Sequence, residues 1–351
     1  ALPIYFSVGN PGLHPPKEYR EAINYVNNEM DPHLVHGYMP NAGFESTRTA
    51  VAENLNKRFG SNFTFENIIM TVGAGSSINV IMKTIFDPGD KQVVFAPYFV
   101  EYANWASNYH AETVVVPPNE ANGFEPDPEA LKKALDPKVK VVIINNPNNP
   151  TGAIYSRETL EKIAEVLKEA EKEYGHPIYI ITDEPYRELV YVDKEIVFIP
   201  DLYDNTIIAY SWSKSLSIPG DRLGYLAVSP KSDNVDEFMA AATVANRISG
   251  DTNAPSIIQL AVERCLDAQV DIPYYKKNAE DLYKIVTDAG FTAVVPQGAF
   301  YLWVKSPVAD EKELVAAAKE ERILAVPGSA FACPGYIRLS FCISKIGRAH
   351  V

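Results

Sequence analysis

Between residues 68 and 229 the chain repeats one pattern: a short run of β-branched residues, a turn, then an amphipathic stretch at helical spacing. IIMTV (68–72) leads to a helix at 76–86, and QVVFA (92–96) to one near 99–109. AETVVVP (111–117) leads to a helix near 127–136, and VKVVIIN (139–145) to one at 156–174. PIYIITD (177–183), TIIAY (206–210) and LGYLAVS (223–229) complete the series. Strands that are apolar on both faces and joined through helices require a mostly parallel sheet covered on both sides. Ligands of such sheets collect beyond the carboxyl ends of the strands. Five of those ends carry reactive or ligand-binding residue types: GAGSS (73–77), PYF (97–99), NNPNNPTG (145–152), DEPY (183–186) and SWSK (211–214).

Around this block the texture changes. Helical spacing recurs at 17–30 and 45–59, with loop chemistry between them in HGYMPNAG (36–43). Helical segments at 233–247, 255–268 and 273–289 follow, then a strand-rich tail of FTAVV, AFYLWV, ILAVP and YIRLSF with a helix at 310–321. The expectation is an α/β fold: a large domain (41–272) holding a seven-stranded-type sheet, and a smaller α+β domain built from 1–40 plus 273–345. Both ends read as clipped, and IGRAHV (346–351) reads as a non-native tail.

Composition removes several classes of function. A formal charge of −13 repels phosphate backbones, which excludes nucleic acid as a partner. No apolar run is long enough for a bilayer-spanning helix. Three cysteines without C-x-x-C spacing read as reduced thiols, hence a cytoplasmic protein. None of the six histidines stands at metal-ligand spacing, so no metal is expected.

The loops suggest a chemistry. Lys214 lies in SWSKSLSIPGDRLGY (211–225), read as a strand–loop–strand unit that also carries Arg222. An amine in a dry pocket beside another cation loses proton affinity, as a Schiff-base lysine must. Taken alone, the segment reads better as a surface loop with two solvated cations. GAGSS opens a helix whose small residues let backbone N–H groups approach a phosphate; a capped helix start is the plainer alternative. Asp183 closes an apolar strand as a structural acceptor or as the partner of a cationic ring nitrogen. Tyr186 and Asn149 could each reach a neighbouring ring oxygen, and Phe99 could lie flat on a ring, although aromatics more often pack a core. Arg338, in the apolar strand YIRLSF, demands an anion, either a ligand carboxylate or an internal salt bridge.

In that order, NNPNNPTG, DEPYRELVY, SWSKSLSIPGDRLGY and YIRLSF resemble the class I/II aminotransferases, pyridoxal-phosphate (PLP) enzymes of the fold type I, aspartate-aminotransferase-like architecture. The resemblance runs from VGNPG (8–12) to YIRLSF. It implies that Lys214 forms the Schiff base with pyridoxal 5'-phosphate and moves the substrate's Cα proton. It further implies that Asp183 pairs with the pyridine nitrogen, and that Tyr186 and Asn149 contact the ring hydroxyl. Ser211, Arg222, Ala74, Gly75 and Ser76 would bind the phosphate, and Phe99 would stack on the ring. Tyr38 would reach the phosphate of a neighbouring subunit, which implies a homodimer with shared active sites. Arg338 would hold the α-carboxylate of an amino acid or 2-oxo acid, with the Gly9 backbone closing over it. Arg247 falls near a segment from which dicarboxylate-specific relatives supply a distal arginine, but a solvated helix-end arginine is the plainer reading. The same motifs would also serve a β-lyase, a cyclopropane-forming synthase or a non-catalytic PLP-binding amino-acid sensor.

Overall fold

The computed structural model describes residues 4–342, so the IGRAHV tail lies outside it. Seven strands form the central sheet in the spatial order Ile68–Thr71, Gly224–Val228, Thr206–Ser211, Tyr179–Asp183, Val139–Asn145, Lys91–Phe95 and Glu112–Val116. Of these, Gly224–Val228 runs antiparallel to both its neighbours, and every other pairing is parallel. The mostly parallel, helix-covered sheet expected from the sequence is therefore the fold.

Successive side chains on a strand leave on opposite faces, and the core follows that rule. Val94, Val141, Ile143, Ile181 and Ile207 pack with Ile78 and Ile81 of the helix Ala74–Ile85. Their neighbours Val93, Val142, Ile144 and Ile180 pack instead with Leu160, Ile163 and Leu167 of the helix Arg157–Tyr174. A third cluster joins Met70, Ile208 and Tyr225 to the helix Glu45–Phe59. Residues 17–36, placed with the smaller domain by the sequence reading, bury Tyr19, Ala22, Val26 and Val35 in this third cluster, where their apolar stripe finds its partners.

A separate cluster lies at the sheet's carboxyl edge. Ile4, Phe6, Tyr275, Leu282, Phe300, Leu302 and Ile337 pack there with Tyr186 and Leu189. The strand Tyr336–Ser340 lies between Tyr301–Lys305 and Val326–Pro327, antiparallel to both. The expected strand ILAVP is two strands, because Ile323–Leu324 pairs with Ile4–Tyr5 whereas Val326–Pro327 pairs with Tyr336–Ser340. FTAVV forms only a bridge from Ala293 to Val304, since Pro296 then removes a donor and ends the pairing. The expected helix 255–268 shortens to Ser256–Val262. The expected loop after Tyr210 is instead one turn of helix, Trp212–Ser215, because the Ser211 side chain accepts from the Ser213 N–H and caps it.

Next to Asp183 in the chain, Glu184 forms a buried ion pair with Arg187. Glu184 and Arg187 contact each other with side chains 4% and 2% exposed, and the Thr182 hydroxyl donates to Glu184 at 2.7 Å. Removing one partner of such a pair leaves a buried charge uncompensated. Arg187→Ala is therefore expected to destabilise the fold by about 3–5 kcal/mol, measured as a lowered urea midpoint.

Candidate active site

The strand ends converge on one cleft of about 480 Å³. Its floor is set by sheet register, which places Asn145 beside Asp183 on adjacent parallel strands, with Ala209 on the next strand. Asp183 is buried, and burial pushes its carboxyl up to about 7 even though a hydrogen bond from Tyr102 pulls it down. Tyr102 donates to Oδ2, and the Asn145 amide donates to the Asp183 carbonyl at 2.9 Å and to Oδ2 at 3.4 Å. Oδ1, also buried, has no partner among the described residues.

Lys214 lies on the one-turn helix after Ser211, and its amine donates to the Gly9 carbonyl at 2.8 Å. Burial draws its pKa down to about 8; Arg222 and Arg338 act in the same direction, and Cys342 against it. Arg222 adopts φ 55°, and its guanidinium donates to Pro219 and Val72 carbonyls at 2.8 and 3.0 Å. It lies against Gly73, where a Cβ would come within 3.0 Å of Nη2. Gly73 itself takes φ 99° and ψ 170°, a conformation essentially confined to glycine, just where the helix Ala74–Ile85 begins.

Arg338 is buried between the rings of Tyr301 and Phe331, its guanidinium carbon 4.3 and 4.7 Å from their centroids. Nη1 donates to Asn149 Oδ1 at 2.8 Å and Nη2 to the Ser7 carbonyl at 2.9 Å, while Nε has no partner among the described residues. Asn149 is fixed in turn by its own N–H, which donates to Asn145 Oδ1 at 2.7 Å.

The cleft thus gathers Gly9, Ala74, Gly75 and Phe99 with Asn149, Asp183 and Tyr186, and Ser211, Lys214, Arg222 and Arg338 close it. Of the expected cofactor residues Ser76 stands outside the cleft, while Tyr38, expected to serve a neighbouring subunit, and Arg247, read as a solvated helix-end arginine, lie on the surface. Ser76 leaves the first helical turn on the outer side, into a neighbouring hollow with its hydroxyl 3.5 Å from Asp251. Tyr38 is 94% exposed and does not line the cleft, and Arg247 donates to Asn41 at 2.8 Å on the surface. The sequence reading missed Tyr102, Asn145, Trp105 and Tyr301. Asn145 opens the NNPNNPTG motif and could have been singled out there. The three aromatics lie in a helix and a strand whose periodicity marks them only as core.

Comparison with known proteins identifies the family. The family described as aminotransferase class I and II matches residues 3–346, and the chain belongs to that family. An aminotransferase structure from Eubacterium rectale is similar at TM-score 0.96 and 38% identity, covering 99% of this chain and 87% of that one. The aspartate/prephenate aminotransferase of Thermus thermophilus is 32% identical, over 97% of this chain and 87% of its own length. The aspartate aminotransferase of Pyrococcus horikoshii is 31% identical over the same shares. The class is PLP-dependent, and this chain is an aminotransferase that moves an amino group between an amino acid and a 2-oxo acid. The lyase, synthase and sensor readings are not favoured.

Proposed function

We propose that the cleft holds pyridoxal 5'-phosphate and that the residues assembled there carry the transamination. The observation that supports this most is the buried, unpartnered Oδ1 of Asp183 in a cleft that also holds an amine of lowered proton affinity. An anion fixed there suits a protonated ring nitrogen. The Gly73 turn, the start of its helix, Ser211 and Arg222 form a cradle of small residues and donors suited to a phosphate. When bound, the cofactor supplies an electron sink for the substrate's Cα.

Around it, Lys214 anchors the cofactor, removes the Cα proton and returns it. Asp183 holds the ring nitrogen's proton, Tyr186 and Asn149 face the ring oxygen, and Phe99 covers the ring. Arg338, with Nε still unpartnered, takes the α-carboxylate, and the Gly9 backbone closes over it. Exposed Tyr38, together with exposed Val244 and Ile248, supports a homodimer in which Tyr38 serves the neighbouring subunit's site. Three free, buried cysteines support a cytoplasmic location. The two-domain division belongs to this proposal, with residues 17–36 counted in the larger unit.

The relatives are named for aspartate and prephenate, so acidic amino acids head the test panel. The protein loaded with PLP is expected to show a visible band that bleaches on adding one class of amino acid without an acceptor. Formation of no band in folded protein would overturn the proposal, and the bleaching class names the donor.

A further inference from the structure

Tyr301, absent from the expected site, touches both halves of it. It begins the strand Tyr301–Lys305, where register sets it opposite Ser340. The Arg338 guanidinium rests 4.3 Å over its ring, and its hydroxyl lies 2.8 Å from that of Tyr186. The same hydroxyl packs on Gly9 so closely that a Cβ there would fall 2.1 Å from it. Both tyrosines are largely buried, and both line the cleft.

Two facing hydroxyls can use only one proton between them; the other proton must point elsewhere. If Tyr186 turns its proton into the cleft, its oxygen is left as an acceptor, and Tyr301 is the donor that faces it. We propose that Tyr301 is a positioning residue: by donating to Tyr186 it aims the Tyr186 proton at the cofactor's ring oxygen and strengthens that hydrogen bond. The inference rests on the function proposed above. Chained donors polarise one another, so the second hydrogen bond gains from the first. Arg338 over the ring also draws on the Tyr301 hydroxyl, opposing the effect of burial on its proton affinity. Arg338 acts on Tyr186 in the same sense; Cys342 acts on Tyr301, Asp183 acts on Tyr186, and Tyr186 in turn acts on Tyr102. Because Arg338 also binds Asn149, the carboxylate site and the ring-oxygen site share two side-chain links.

The test is a pH titration of the visible band of the PLP-loaded protein without substrate. A donor to the ring oxygen withdraws charge that otherwise helps hold a proton on the neighbouring nitrogen. Tyr186→Phe is therefore expected to raise the midpoint, and Tyr301→Phe to raise it less, by about 0.3–1 pH unit. The double variant is expected to shift no further than Tyr186→Phe alone, because Tyr301 acts through Tyr186. An unmoved midpoint in loaded Tyr301→Phe, or a double shift equal to the sum of the singles, overturns this inference alone. A wild type that forms no band overturns it together with the functional proposal. An unfolding midpoint measured in parallel separates a spectral shift from a general loosening of the fold.

Discussion

Lys214→Ala is expected to lower transamination by about 10⁴-fold or more, because in the proposed function one side chain supplies both the covalent anchor and the proton transfer. The fold has little to lose by the change. Lys214 makes one hydrogen bond, to the Gly9 carbonyl, and its ammonium is disfavoured where it stands. Its pKa of about 8 in the folded chain lies below the ordinary 10.5, so between those values the unfolded chain binds a proton that the folded one does not. Wild-type stability in the cofactor-free protein should therefore gain from this group as pH rises from 8 to 10.5, and the variant should lack that gain. Single-turnover bleaching of the loaded protein measures the first effect, and urea midpoints across that pH window measure the second. A variant that turned over at the wild-type rate would remove Lys214 from the chemistry.

How far such a site can be read from sequence depends on what kind of information places each residue. Asp183, Asn149 and Lys214 were legible because each follows an apolar strand, and parallel strands deliver their ends to one edge. The sheet itself was legible for the same reason: Val93 and Val94 could be assigned to opposite faces from alternation alone. Tyr102 and Tyr301 were not, because their hydroxyl partners stand 81 and 115 residues away in the chain. Periodicity sees the ring of a tyrosine and marks it as core; what the hydroxyl meets is decided by tertiary packing. Trp212–Ser215 was missed because one helical turn has no period to detect. The placement of Ser76 outside the cleft has a similar origin, since the motif GAGSS fixes a helix start but not which side of the first turn faces the ligand.

Asp183→Asn is expected to cut transamination by about 10²–10³-fold, the range for removing one preorganised charge partner from a site. The amide oxygen can still accept from Tyr102, so the geometry survives while the anion that would hold the ring nitrogen's proton is lost. The cofactor-free protein should respond in the opposite sense. With a folded pKa of about 7 against an ordinary 3.8, the folded chain binds a proton that the unfolded chain has released between those values. Wild-type stability from this group must then fall as pH rises from 3.8 to 7 and stay low above it, whereas the amide does not titrate. The stability difference between Asp183→Asn and wild type should consequently move in the variant's favour across that window, read as urea midpoints of cofactor-free protein on either side of it. Parallel pH profiles for the two proteins, or undiminished bleaching in the variant, would show that the carboxylate is not a disfavoured anion that serves the cofactor. The strain has a functional meaning: a buried anion with one oxygen unpartnered is costly to the empty fold, and a cationic ring nitrogen in the cleft would offset that cost. Cofactor binding and stability are thus coupled through one carboxylate, and loading with PLP should raise the wild-type unfolding midpoint more than that of Asp183→Asn.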